Sequence, residues 1–393
     1  MIKTEEQAGN FIREKMKKIV YLSLILSVLL SCVHKQEKVD KTIEDGVEVV
    51  LNHIEPYQIP GEPTTFDLEE IFTIDTEKEK MLDIGLTGIE TFDTDSEGNI
   101  YVIQWQAREN FIFKFDKEGN YLVSFCKKGQ GPGEIEYGGN VLVNPKGEII
   151  AKDPSKRRFA LYDRKGNFLN ETQMKKVNSM VPLENGKYFV LWIEDTPELR
   201  KRWVGVSNSE FENIKELDFF QFPNPINVKS PINRDRLVYA VSKDRIYIGN
   251  SERGYEIQVY DLDGNLMQKI RKEYEPVEVL EDYKKSYFER FPEGYPLLDK
   301  LYFAKNWPAF RNIFADDEGR LFVLTHEEGI NPGEYMYDIF NSEGVFVGRM
   351  SLWNYRELHA PAFTIKAKKN HLYCLREKES GYRELVVYRM NWE

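Results

Sequence analysis

Apolar and polar residues alternate along the chain from Ile71 onward, and short glycine turns interrupt the alternation. The clearest stretch is "FDTDSEGNIYVIQW" (Phe92–Trp105) followed by "NFIFKFDKEGNYLVSF" (Asn110–Phe125), in which each half reads as strand, turn and strand. A period of two is typical of strands, and glycine supplies the positive φ of a tight hairpin turn. Two such hairpins in series predict a four-stranded antiparallel meander.

The same unit recurs six times. Its first turn falls at steps of 39 to 75 residues, at Gly98, Gly147, Gly186, Asp244, Gly319 and Asn370. Repeats of this length with four strands each predict the blades of a β-propeller rather than a helical solenoid. The fold class is therefore predicted as all-β, a six-bladed propeller of four-stranded antiparallel blades, over residues 61–393.

The sixth unit, which ends in "ELVVYRMNWE", stops after its third strand. A three-stranded last blade would leave an open sheet edge. The strand-like run "FDLEEIFTID" (Phe66–Asp75) precedes the first unit and has no partner of its own. We predict that it pairs beside Glu384–Trp392 and closes the ring.

Two stretches between the predicted strands need separate interpretation. In "PVEVLEDYKKSYFERF", after Pro276, apolar residues recur at steps of three and four, which predicts one short helical insertion between blades four and five. The glycine-rich "KKGQGPGEIEYGG" (127–139) lacks the spacing of dinucleotide and P-loop motifs, and a strand follows it rather than a helix. We interpret it as the connector from blade one to blade two.

The amino-terminal region has the pattern of a secretory signal. The apolar run Ile19–Leu30 follows basic residues, and as a helix it would rise only about 18 Å, less than the ~30 Å of a bilayer core. Residues 1–31 are predicted as a signal peptide, with Met16 as an alternative start, and residues 32–60 as a flexible tether. "LLSC" (Leu29–Cys32) resembles a bacterial lipobox, which implies lipidation of Cys32 and an anchor in the outer membrane or cell envelope.

The whole pattern resembles the bacterial six-bladed β-propeller lipoproteins of the NHL/TolB-like group, abundant in Bacteroidota. The stretches that carry the resemblance are "GQGPGE", the D-x4-R-x3-Y-D-x2-G-N run of Asp153–Asn167, and "DDEGRLFV". The resemblance implies the fold over roughly residues 60–393. It does not imply one activity, because this group hosts many functions.

The net charge excludes one class of partner, and the cysteine spacing indicates that the propeller has no disulfide. The net charge of −11 would repel phosphate backbones, so nucleic acid is excluded as a partner. The chain has three cysteines, and beyond Cys32 the spacing of Cys126 and Cys374 suggests no disulfide, so both are predicted to be free and buried.

The predicted blades have two unlike faces. The first and third turns of each blade are short and repetitive, as in "DSEGN", "DKEGN" and "DRKGN", whereas the strand 2–3 loops and the inter-blade connectors differ at every blade. Variable loops on a rigid scaffold predict a recognition surface around the channel mouth on that second face. Candidate ligand-binding residues there, suited to an anionic or carbohydrate-like ligand, are Trp105, Arg108, Arg157, Trp192, Arg253, Trp307, Arg311 and Arg376. For each of these residues the alternative to ligand binding is a local role, in which an aromatic ring packs between blades or an arginine pairs with a nearby acidic residue.

Catalytic chemistry is sparse in the sequence. The propeller histidines are His326, His359 and His371, and they are far apart in the sequence. No metal, cofactor or catalytic residue is therefore assigned. Asp153, Glu194 and Asp195 end second strands. They are candidate calcium ligands, as acidic residues of the channel are in six-bladed lactonases, or they accept hydrogen bonds from local arginines. The favoured hypothesis is a non-catalytic propeller that binds a small molecule or an envelope protein. The alternatives are a hydrolase or lyase, with or without calcium assistance, acting on a small extracellular substrate, and a structural subunit of an envelope complex.

Overall fold

Six antiparallel sheets of four propeller strands each make up most of the computed structural model, which describes residues 39–353 and 365–393 except 175, 176, 213, 225, 227, 235, 293 and 297. The predicted signal peptide, Cys32 and His359 lie outside the described residues. The described part opens with β1 (Asp40–Glu44), β2 (Val47–Asn52), β3 (Phe66–Asp75) and the short helix α1 (Glu79–Asp83).

The blades follow in chain order. Blade one contains β4 (Thr91–Thr94), β5 (Ile100–Ile103), β6 (Asn110–Phe115) and β7 (Tyr121–Lys127). Blade two contains β8 (Val141–Val143), β9 (Ile149–Asp153), β10 (Arg158–Tyr162) and β11 (Phe168–Gln173). Blade three contains β12 (Ser179–Pro182), β13 (Tyr188–Asp195), β14 (Leu199–Ser207) and β15 (Ile214–Pro223). After the short strand β16 (Ser230–Pro231), blade four contains β17 (Leu237–Val241), β18 (Arg245–Asn250), β19 (Glu256–Asp261) and β20 (Leu266–Lys272).

The second half adds one insertion before the last two blades. The insertion holds helix α2 (Glu281–Phe288) and β21 (Leu301–Tyr302), which pairs in parallel with β16. Blade five contains β22 (Asn312–Ala315), β23 (Leu321–Glu328), β24 (Glu334–Phe340) and β25 (Phe346–Trp353). Blade six contains β26 (Ile365–Lys368), β27 (His371–Glu377), β28 (Arg383–Trp392) and, as its outer strand, β3.

The predicted ring closure is confirmed. Strand β3 pairs antiparallel with β28, in a register that runs from Asp75 opposite Glu384 to Phe66 opposite Trp392. An early segment therefore supplies the fourth strand of the last blade, and its backbone groups cover the edge that three strands would leave open.

The core lies between neighbouring blades, where the inward side chains of one sheet pack on those of the next. Between blades five and six, Phe66, Phe322 and Ile365 are buried in one cluster. Burying a large apolar side chain contributes roughly 1.5–3 kcal/mol. Repeated blade contacts of this kind hold the ring together, and both Cys126 and Cys374 are free and buried in them, as predicted.

The predicted tether is wrong for residues 40–52. Strands β1 and β2 form a hairpin around Asp45 and Gly46, both with positive φ, and β2 adds in parallel to β20, so that this sheet has six strands. The buried Asn52 fixes the junction, because its Nδ2 donates to the carbonyls of Arg271 and Gly344 and its Oδ1 accepts from the amide of Phe346. The apolar alternation "VEVVLN" gives this segment a face to bury, so it packs on blade four.

Both predicted connecting segments are confirmed. Helix α2 lies between blades four and five, and Tyr283 and Tyr287 of its apolar stripe pack on Phe303 of the same insertion. The glycine-rich stretch joins β7 to β8 with no helix in it. At Gly138 a Cβ would lie 2.1 Å from the carbonyl oxygen of Gln104, so the backbone passes too close to blade one for any side chain. In the described residues, no helix is long and apolar enough to cross a membrane.

Candidate functional site

One face of the propeller, here called the turn face, carries the short turns between strands 1 and 2 and between strands 3 and 4. In seven of these turns the side chain of the first residue accepts the amides of the third and fifth residues. These first residues are Asp95, Asp116, Asn144, Asp163, Asp261, Asp316 and Asn341. Their oxygens stabilise the turn itself, which explains why the turns are so uniform.

The opposite face, here called the connector face, carries the strand 2–3 loops and the inter-blade connectors. The eight predicted ligand residues are not gathered into one site. In blades one and two, Trp105 is about half exposed and packs beside Tyr137 at 5.5 Å between ring centroids, and Arg108 and Arg157 are exposed. Trp307 and Arg311 lie near His326 of blade five.

The other three predicted residues have local partners. Trp192 is buried, and its indole stacks in parallel on Trp203 at 5.7 Å, so it belongs to the core rather than to a contact surface. Its strand position places it toward the neighbouring blade, where apolar area is covered. Arg253 pairs with Asp218 at 2.7 Å and with Glu256 at 3.1 Å, and Arg376 pairs with Glu384 at 2.5 Å.

The acidic residues at the ends of second strands also have local partners. Asp153 is fully buried and accepts Nε of Arg158 at 3.3 Å and the hydroxyl of Ser155 at 2.6 Å. Asp195 accepts Arg200 through both oxygens, and Glu194 accepts the indole N–H of Trp203. Within the described residues, no group of three or more His, Cys, Asp or Glu side chains is placed to hold a metal ion.

A cluster of positive charge lies on the connector face between blades three and four. The guanidinium carbons of Arg202 and Arg234 lie 5.6 and 4.1 Å from the ring centroid of the buried Phe222. Arg202 comes from β14, and Arg234 comes from the connector that leads to β17. Neither of the two is paired with a carboxylate of the described residues.

The pKa values of this cluster reflect crowding of like charges. Burial, together with the charges of Arg202, Arg236 and Arg200, lowers the pKa of Arg234 to about 10. Burial and the charge of Arg200 lower the pKa of Arg202, against the opposing effect of Asp195. Both guanidinium groups remain charged at neutral pH, so the cluster keeps excess positive charge in a partly desolvated place.

His326 extends the cluster toward blade five. Its ring stacks on Trp307 at 4.7 Å with 13° between the planes, and its side chain is buried. Burial, together with the charges of Arg311 and Arg236, lowers the pKa of His326 to about 2, so the imidazole is neutral. Its Nε2 atom is buried without a hydrogen-bond partner in the described part of the chain.

Helix α2 and the rest of its insertion adjoin this group through aromatic contacts. Tyr283 packs edge-on against Trp307 at 5.2 Å, and Trp307 in turn stacks on His326. The helix therefore stands next to the histidine rather than apart from the site. We call Arg202, Arg234, Phe222, Trp307 and His326 the arginine–histidine cluster.

Sequence reasoning named Trp307 as a ligand-binding residue but missed the other four members of this cluster. In "LRKRWVGVS" the arginines 200 and 202 are in phase with Val204 and Val206, which are buried. This phase placed Arg202 on the core-facing side of its strand and was available in the sequence. Nothing in the sequence, by contrast, brings Arg234 or His326 to the same place, because they come from other blades.

A separate open cleft of about 510 Å³ lies beside Arg376 at blade six. Its lining includes Glu70, Asp75, Lys78 and Glu384. Its charges are matched by local pairs, such as Lys378 with Asp75 at 3.1 Å and Arg376 with Glu384. Because these groups already satisfy one another, the arginine–histidine cluster is the better candidate in spite of the cleft's size.

Comparison with known proteins agrees with the architecture, and the molecule is a six-bladed β-propeller. Residues 86–237 match the family model DUF5128, described as a 6-bladed β-propeller. No curated protein matches the chain. A DUF4221-family member from Bacteroides vulgatus ATCC 8482 aligns with a TM-score of 0.50 at 10% identity, over 84% of this chain and 99% of that one.

Two further solved structures are similar at lower TM-scores. A protein of Bacteroides fragilis NCTC 9343, classed as exported, aligns with a TM-score of 0.46 at 12% identity, over 87% of this chain and 99% of its own. A streptogramin B lyase aligns with a TM-score of 0.40 at 10% identity, over 83% of this chain and 98% of its own. At such identities only the fold is comparable, so function has to be argued from the site.

Proposed function

We propose that this protein is a non-catalytic binding propeller of the bacterial envelope, and that its connector face recognises a small molecule. The observation that carries the proposal is the pair of guanidinium groups, Arg202 and Arg234, held on one aromatic ring without a carboxylate partner among the described residues. Gathering like charges in a partly buried place opposes folding. A negatively charged ligand offsets this repulsion, which explains why the two arginines are held together.

Recognition fits these residues better than catalysis does. The acidic groups that a hydrolase or lyase would use at this face, Asp153, Glu194 and Asp195, accept hydrogen bonds from Arg158, Trp203 and Arg200. Arginine forks and aromatic rings, by contrast, are the groups that hold anions and flat apolar surfaces. The half-exposed Trp105 beside Tyr137 supplies a second aromatic surface on the same face for a larger ligand.

The envelope part of the proposal rests on the amino-terminal sequence. Basic residues, the apolar run Ile19–Leu30 and Cys32 form the pattern of a lipoprotein signal. We expect the native chain to be labelled by a radioactive fatty acid and to fractionate with membranes. Cys32→Ser should abolish both, and a labelled or membrane-bound Cys32→Ser protein would exclude this anchor.

Hydrogen exchange measured by mass spectrometry tests where ligands bind. The full chain is screened against neutral sugars, sugar acids and short peptides by thermal shift, and each hit is then mapped by exchange. We expect slower exchange at connector-face segments, above all at residues 199–204, 228–234 and 321–328, and unchanged exchange in the turns of the turn face. Protection confined to the turn face, or no hit in the screen, would contradict the proposed function.

A further inference from the structure

Arg202 and Arg234 lie on one ring, and Arg202 has unmet hydrogen-bonding capacity. The Nε atom of Arg202 is buried without a hydrogen-bond partner in the described part of the protein. Each guanidinium offers five N–H donors in a planar fork, a shape that matches a carboxylate. Phe222, which is only 3% exposed, holds both forks in place through its face. The two residues thus form a rigid set of donors with positive charge.

His326 is the second, independent feature, and it has the opposite hydrogen-bonding character. It is 8% exposed, and its ring interacts with the backbone of Phe310 in a hydrogen bond that favours the protonated ring, as a bond donated to a carbonyl does. A neutral imidazole that donates through one nitrogen carries a bare acceptor on the other. Nε2 of His326 is that acceptor, buried and without a partner among the described residues.

A hydrogen bond to the backbone connects the two features in space. Nδ2 of Asn233, the residue before Arg234, donates to the carbonyl of Asn306 at 2.7 Å, and the next residue, Trp307, stacks on His326. The donors and the acceptor therefore belong to one region between blades three and five, and the charge of Arg236 acts on both His326 and Arg234. Trp307 adds a flat apolar surface against the imidazole. A ligand able to satisfy every group there needs an anionic head for the arginines, a hydroxyl donor for the histidine, and a carbon face for the indole.

We infer that the arginine–histidine cluster binds a sugar acid, that is, a small hydroxylated carboxylate. Arg202 and Arg234 hold the carboxylate, Nε2 of His326 accepts a hydroxyl proton in a hydrogen bond, and Trp307 packs on the ring or chain of the sugar. The inference rests on the proposed function, because it specifies the ligand class of the same face. A buried polar group without a hydrogen-bond partner destabilises the folded protein, and such a ligand removes that penalty.

Isothermal titration calorimetry on the full chain separates the parts of this inference. The probes are the sugar acids D-galacturonate, D-glucuronate and D-gluconate, the neutral D-galactose, acetate as a bare carboxylate, and sulfate. We expect at least one sugar acid to bind at least tenfold more tightly than galactose, acetate and sulfate. Arg202→Gln, Arg234→Gln and His326→Phe should each weaken that binding at least tenfold, and Arg164→Gln, at an exposed arginine of the turn face, should not change it.

A melting curve without ligand shows whether a variant lost binding or lost its fold. Arg234→Gln removes one of two crowded charges, so its melting temperature should equal or exceed that of the native chain while its affinity falls. Several outcomes would overturn the inference: no preference for a sugar acid over the neutral sugar, equal binding of sulfate, or binding insensitive to Arg202→Gln and Arg234→Gln. If galactose bound with protection of the connector face, the proposed function would stand and the inference alone would fail.

Discussion

Phe66 and Trp392, from opposite ends of the propeller sequence, lie opposite each other in one sheet, with their ring centroids 4.7 Å apart. This contact joins the first strand of the propeller to the last. Phe66 also contacts Phe322 of blade five at 6.1 Å, so the closing strand is fixed to two blades. Closure in this way makes every blade four-stranded and keeps the connector-face loops in fixed positions.

Removing the Phe66 ring should weaken closure. Phe66 is 2% exposed, so Phe66→Ala is expected to lower the free energy of unfolding by about 3–5 kcal/mol through lost burial and a remaining cavity. Urea denaturation, monitored by tryptophan fluorescence, measures this free energy of unfolding. The matched control is Phe168→Ala, on the outer strand of blade two and 37% exposed, for which a loss of about 1 kcal/mol is expected. Equal losses in the two variants would contradict this role of Phe66.

The amide of Asn52 should hold the amino-terminal hairpin on the ring. Asn52→Ala leaves the amide of Phe346 and the carbonyl of Gly344 without this partner, and we expect a loss of about 2–4 kcal/mol. Exchange at residues 40–52 should speed up strongly, since the hairpin detaches first. Asn120→Ala, an exposed asparagine of the turn face, is the control and should leave that exchange unchanged. Unaltered exchange in Asn52→Ala would show that the β2–β20 pairing alone fixes the hairpin.

The buried pair of Arg158 and Asp153 should behave as one unit. Arg158 is 5% exposed and also bonds Glu171 and the carbonyl of Glu134. Arg158→Met leaves the Asp153 carboxylate buried and uncompensated, with an expected loss of about 3–5 kcal/mol. Adding Asp153→Asn should recover at least about 1 kcal/mol, because no buried charge remains. A double-mutant cycle by urea denaturation measures the coupling, and strictly additive losses would be inconsistent with it.

His326 should make stability depend on pH. Its folded pKa of about 2 lies below the ordinary value of 6.5, so below pH 6.5 the unfolded chain takes up a proton that the folded chain does not. This stabilisation is present above pH 6.5 and is lost as the pH falls. The free energy of unfolding should decrease by about 2 kcal/mol from about pH 7 to about pH 5. His326→Gln should remove this part of the pH dependence when unfolding free energies are compared across the range. His371→Gln, at the partly exposed start of β27, should keep it, and identical profiles for the native chain and His326→Gln would refute the assignment.

The alternation pattern was enough to predict the blades, because each strand buries one face and most of the turns contain a glycine. It also identified the outer strand Phe66–Asp75 from a simple deficit, since the last blade lacked one strand. The hairpin at residues 40–52 was missed although Asp45–Gly46 is a strong hairpin turn between strands. Its docking on β20 joins segments more than two hundred residues apart, which local patterns do not encode.

The candidate site was predictable only in part. Arginine and tryptophan on the variable loops indicated the connector face, where the arginine–histidine cluster lies, but Trp192 is buried, and Arg253 and Arg376 pair with nearby carboxylates. Whether a loop arginine is paired depends on acids brought by other strands, as Asp218 is brought to Arg253. The arginine–histidine cluster likewise combines residues of blade three, of blade five and of the connectors between them. These residues come together only because the blades form a ring, so their spacing in the sequence does not show that they are close in space.

A crystal structure of the full chain grown with the sugar acid that binds best tests the central claim most directly. The account predicts electron density for the carboxylate in contact with Arg202 and Arg234, and a ligand hydroxyl within hydrogen-bond distance of Nε2 of His326. Density for the ligand in the cleft beside Arg376, or at the turn face, with the arginine–histidine cluster unoccupied, would contradict it.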